Sequence, residues 1–132
     1  MAKTSELFDR GLQVRKEVLG TTYVDSALRT ATSFNEDFQK LVTQFAWGAV
    51  WSRPGLPRKT RSMLTIAMLA ALGQHEELKL HVRASRNTGV TPEELKEVLL
   101  QVAVYAGIPA ANSAFQHAKR VYQELEEDPE EP

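Results

Sequence analysis

The run Glu76 to Gly89, EELKLHVRASRNTG, holds the residue types best suited to chemistry in this chain. Glu77 and His81 are one helical turn apart, so a helix projects both from one side. Arg83 and Arg86 follow closely and set cations beside an acid–base pair. A carboxylate, an imidazole and guanidinium groups together point to proton transfer on an anionic substrate. A solvated helix pair is the commoner reading of any Glu and His at this spacing. Here His81 borders the apolar positions Leu78 and Val82, where burial shifts a pKa, and that evens the odds.

A second group of cations flanks the turn Pro54-Gly55-Leu56-Pro57: Arg53, Arg58 and Arg61. Such cations usually do no more than solvate a loop. Arg58 and Arg61, however, open a helix three residues apart, where free backbone N–H groups and a guanidinium fork can hold a carboxylate. Trp47 and Trp51, four apart on the preceding element, serve as core filler or as a pocket wall. His75 reads as an exposed residue at a helix start and His117 as an ordinary packed histidine. No HExxH-type spacing joins the three histidines, so no metal is expected. A phosphate-binding glycine loop, a GxSxG elbow and a dinucleotide fingerprint are all missing.

Composition narrows the class. The chain of 132 residues is 42% hydrophobic and has no cysteine, which removes disulfides, thiolate zinc sites and cysteine nucleophiles. That length predicts a single domain over residues 1–132 with a genuine core. The net charge of −1 conceals an acidic end: Glu124, Glu126, Glu127, Asp128, Glu130 and Glu131 fall within 124–132, expected to be a frayed tail. Without them sixteen bases face eleven acids, leaving a body of +5 suited to small anions. The bases are scattered, so nucleic acid is not expected as a partner. No apolar run matches a signal peptide or a bilayer span, and a cytoplasmic location without membrane attachment is expected.

The elements that must position these residues all read as helices. Leu7, Gly11, Val14, Val18 and Leu19 recur at helical spacing, with Thr4 or Ser5 as cap and Gly20 as stop. Phe34, Phe38, Leu41, Val42, Phe45 and Ala49 form one apolar stripe after Ser33. Thr60 to Leu72 is apolar almost all round and is the expected centre of the core. Gly89 closes the Glu76 helix, and Thr91-Pro92-Glu93-Glu94 is a capping box for the next one. Gly107 and Pro109 divide that helix from the last. The pattern predicts an all-α domain of about six helices.

Several segments, in order, resemble one family, the γ-carboxymuconolactone decarboxylases: GLQVRKEVLG, the pairs Phe34-Asn35 and Phe38-Gln39, FAWGAVWSRPGLPRKTRS, EELKLHVRASRNTGVT and VYAGIPAANSAF. The resemblance covers nearly the whole chain. The wider AhpD-like superfamily includes peroxidases with a CxxC ahead of the equivalent histidine. Gln74 and Glu77 occupy those cysteine positions here, so thiol peroxidase chemistry is excluded. The resemblance implies an AhpD-like all-helical subunit in a ring-like homo-oligomer, a hexamer, acting without cofactor on a small anionic lactone. It implies conversion of 4-carboxymuconolactone to 3-oxoadipate enol-lactone in the β-ketoadipate pathway. On that reading His81 donates a proton and Glu77 or Glu76 orients it. Arg58 and Arg61 hold substrate, Trp47 or Trp51 lines an apolar wall, and Arg83 is an electrostatic neighbour or an interface residue. Two alternatives stand beside it: a related enzyme on another small acid, and a catalytically silent oligomeric binding protein.

Overall fold

The computed structural model describes residues 3–129. They form seven α-helices and, among the described residues, no β-strand. The chain divides into two compact units, one ending at Pro57 and the other starting at Arg58.

The first unit contains α1 (Thr4–Leu19), α2 (Thr21–Arg29) and α3 (Glu36–Leu41), which runs on as a π-helical segment, Val42–Trp51. The cap of α1 is Lys3, where the sequence pointed to Thr4 or Ser5, and its backbone N–H donates to the Glu6 carboxylate at 3.4 Å. Gly20 at φ 96° ends α1 and also caps α2. That second helix was not legible in the sequence, because Val24 is its one buried residue and no apolar stripe marks it. Likewise the cap of α3 is Asn35, not Ser33.

α1 lies directly on the π-helical segment, backbone against backbone. A Cβ built on Gly11 would collide with the Thr43 carbonyl oxygen, and one on Gly48 with the Leu7 carbonyl oxygen. Only glycine allows that approach. π-Helical geometry is uncommon and is often retained at functional sites. Here it turns Thr43, Trp47 and Gly48 inward. The aromatic stripe faces outward instead: Phe34 is 95% exposed, and Phe38, Leu41 and Phe45 are exposed beside it.

The second unit comprises α4 (Arg58–Leu72), α5 (His75–Thr88), α6 (Pro92–Tyr105) and α7 (Ile108–Glu127). α4 packs on the other three, and α7 packs on α5 and α6. Side chains fill the core: Ile66, Leu78, Val82, Leu95, Leu99, Val102 and Val121, with Ala111, Ala114 and Ala118 keeping α7 close. The capping box forms as read. Glu94 N–H donates to Thr91 Oγ1 at 3.1 Å, and Thr91 N–H donates to the Glu94 carboxylate at 3.0 Å. Gly89, in the left-handed conformation at φ 88°, closes α5.

Two expectations for this unit change. α4 is central, yet it buries one face only (Ser62, Ile66 and Ala70) and leaves Leu64, Met68 and Leu72 exposed. The acidic end is not frayed from 124: α7 stays helical through Glu127. Glu130 and Glu131 lie outside the described residues.

Candidate active site

α5 owes its start to Gly73 and Gln74 and its grip to an inward face of Leu78, His81, Val82, Ala84 and Ser85. His81 is therefore a core residue, 6% exposed. Burial disfavours the charged imidazolium and pulls its pKa down to about 4. At neutral pH the resting imidazole is uncharged. The sequence reading wanted Glu77 to favour the protonated form, and the structure gives a different balance. Glu77 is exposed at the rim of α5, and desolvation governs the histidine.

The neighbouring acid is committed elsewhere. Glu76 is exposed and pairs with Lys79 Nζ at 2.8 Å, which holds its carboxyl below the usual carboxylate range. Its field reaches His117 and His75. Of the two candidates, Glu77 is the one on the His81 side of the helix. Arg83 also has an assigned partner, because its Nη2 lies 2.7 Å from Glu124 Oε1 on α7. That bridge ties α5 to α7.

Arg58 and Arg61 occupy the first turn of α4, exposed and half-buried respectively. α4 packs against α5, so these cations belong to the same four-helix unit as His81. Ser62, next to Arg61, is fully buried, and its hydroxyl finds no hydrogen-bond partner among the described residues. The tryptophans belong to the first unit. Their rings stack with centroids 4.8 Å apart and planes at 28°, and Trp47 is 5% exposed, which makes packing its first task.

Sequence reasoning missed two polar features. Arg15 is 5% exposed, and its Nη1 donates to Gln39 Oε1 at 3.1 Å and to Thr43 Oγ1 at 3.2 Å. Its place one turn after Gly11 and one turn before Leu19, on the buried face of α1, was a usable signal. The other is a contact between His75 and His117, whose rings meet at 4.7 Å between centroids. Residues 42 apart in sequence give no local hint of that.

The scaffold is all-helical among the described residues, buries the His81 imidazole on α5 and opens the adjacent α4 with Arg58 and Arg61, which defines a class of small α-helical proteins. The chain belongs to the carboxymuconolactone decarboxylase family, whose model matches residues 36–120. It is 52% identical over 123 residues to a 4-carboxymuconolactone decarboxylase of Acinetobacter baylyi, covering 93% of this chain and 92% of that protein. It is also 50% identical over 109 residues to the nitrosuccinic acid decarboxylase npaB of Metarhizium robertsii, covering 83% of this chain and 76% of the relative. An uncharacterized 15.0 kDa protein of Paracoccus denitrificans is 34% identical over 84 residues, 62% of this chain and 63% of its own length. No helix among the described residues is long and apolar enough to cross a membrane.

Proposed function

We propose that this protein decarboxylates 4-carboxymuconolactone to 3-oxoadipate enol-lactone, without cofactor, in the catabolism of aromatic acids by the β-ketoadipate pathway. The observation that carries the reading is the buried imidazole of His81 in a chain 52% identical to a decarboxylase of that substrate. The substrate supplies its own electron sink. As the ring carboxylate leaves as carbon dioxide, its electron pair moves through the conjugated double bond onto the lactone carbonyl and forms a dienolate. Protonation at carbon completes the enol-lactone. The protein has to position the substrate, stabilise the oxyanion and deliver that proton.

The depressed pKa of His81 suits the last step in a specific way. A dianionic substrate beside the imidazole favours its charged form and draws a proton onto it. Loss of neutral carbon dioxide leaves the negative charge on the dienolate, and the buried imidazolium, disfavoured by desolvation, is a strong acid toward its carbon. Glu77, on the same side of α5, orients the ring. Arg58 and Arg61 hold the acetate arm or the lactone oxygen, while the departing carboxylate is left without a cation, since gripping it would stabilise the ground state.

Assembly belongs to the same proposal. The exposed aromatic stripe of the first unit and the exposed Leu72, Val104, Tyr105 and Ile108 of the second are large apolar surfaces for a single chain. A ring-like homo-oligomer, a hexamer, would cover them, and we place it in the cytoplasm. Light scattering at micromolar concentration would show a stable monomer if this is wrong.

The test of the reaction is an ultraviolet assay of lactone consumption by protein dialysed against chelator. Full turnover is expected, with His81→Ala reduced roughly 10²-fold or more after circular dichroism and sizing confirm its fold. Turnover that vanishes on chelation and returns with a metal ion would overturn the cofactor-free mechanism. A second reading, a decarboxylase of another small acid, is favoured by the 50% identity to the nitrosuccinic acid enzyme. Faster turnover of nitrosuccinate than of the lactone in parallel assays would establish it instead.

A further inference from the structure

The contact between His75 and His117 lies outside the site described above. His75 is the first residue of α5, six residues before His81, which places it about 9 Å away along the helix axis and on a different side. His117 sits in the middle of α7, half-buried, while His75 is exposed. Their ring centroids are 4.7 Å apart and the planes are inclined at 47°.

We propose that His75 and His117 chelate a divalent transition-metal ion, with Cu2+ preferred over Ni2+ and Zn2+, at the junction of α5 and α7. The spacing carries the argument. With a metal–nitrogen distance of about 2.0–2.1 Å, two imidazoles sharing one ion at about 90–110° have ring centres roughly 4.5–5.3 Å apart. The observed 4.7 Å falls inside that interval. His75 is exposed and each ring comes from a different helix, so one shared ion would join α5 to α7. Glu76 beside the pair contributes negative charge, offset by its bond to Lys79. Among the described residues no cluster of three or more His, Asp or Glu side chains encloses an ion, so water completes the coordination. Two imidazoles with open positions suit Cu2+ best by the Irving–Williams order.

Such an ion would pin the start of α5 to α7 and stabilise the folded chain by mass action, with no part in turnover. The experiment uses untagged full-length protein, because an affinity tag would mask the effect. Calorimetric titration with CuCl2 and with NiCl2 at micromolar concentrations should show saturation at one ion per chain and a rise in Tm. His75→Ala, His117→Ala and His117→Gln should each bind at least about tenfold more weakly, having lost one of two ligands. The copper complex should show nitrogen hyperfine structure in its electron paramagnetic resonance spectrum. Absence of saturable binding would overturn the proposal and leave the pair a plain ring contact. Binding of unchanged strength in both alanine variants would overturn it too, placing the ion elsewhere on the chain.

Discussion

The two units hold their helices together by different means. In the first, α1 and the π-helical segment meet through backbone at Gly11 and Gly48, and a buried arginine fills the position beside them. In the second, aliphatic side chains from four helices interdigitate around the buried imidazole of His81, whose pKa burial pulls down to about 4. Packing by backbone tolerates no added atom, whereas packing by side chains can relax around a change. The first unit is therefore brittle at its crossing. The second is adaptable in packing and sensitive to protons.

The largest effect should come from breaking the crossing. Gly11→Ala puts a methyl group against the Thr43 carbonyl, which no rotamer change relieves, so a loss of more than about 3 kcal/mol is expected, beyond the usual range for overpacking. Gly55→Ala is the control, because nothing lies within 4 Å of its added Cβ, and it should stay within about 0.5 kcal/mol of the parent. Urea melts of the two variants would decide this, and equal midpoints would refute the account of the crossing.

Acid should probe the second unit. The folded pKa of His81, about 4, lies below its unfolded value of about 6.5, so the unfolded chain takes the proton first. The penalty is absent above about pH 6.5 and grows as pH falls toward 4, reaching roughly 3 kcal/mol. His81→Gln should lack that component, and the difference between the two stability profiles isolates it from the carboxylates. Parallel profiles from pH 7 to pH 4 would show that burial does not govern this histidine.

A smaller loss is expected at Arg15. Truncation in Arg15→Ala removes charge-assisted hydrogen bonds to Gln39 and Thr43 and leaves a void, at a cost of about 2 kcal/mol. Near-ultraviolet circular dichroism should report it through Trp47 and Trp51, which stack in the same unit. The smallest effect belongs to the bridge between Arg83 and Glu124. Both groups are partly exposed, so Arg83→Ala should cost under about 1 kcal/mol and leave turnover within a few-fold of the parent. A hundredfold loss of turnover in folded Arg83→Ala would assign that arginine to the substrate site.

Most of the second unit was legible before any coordinates. Its capping box, its stop at Gly89 and the inward positions Leu78 and Val82 follow from local rules that need only neighbours in sequence. Gly20 as the end of α1 and the helical reading of 34–49 were also accessible. What escaped was whatever depended on a partner far along the chain. α2 lacks a stripe, Gly11 and Gly48 show their use only where α1 meets the π-helical segment, and Arg15 looks like any surface arginine until Gln39 and Thr43 arrive beside it.

By itself, then, the sequence determined the all-helical class, the breaks between most helices and the residue types available for proton transfer, because periodicity and capping are properties of short segments. The tertiary structure decided which faces those helices bury. It placed His81 inside, where burial lowers its pKa, left Glu77 at the rim, paired Glu76 with Lys79 and Arg83 with Glu124, and set His75 against His117. Desolvation and ion pairing depend on atoms brought together from distant positions, and no spacing along a chain specifies those distances.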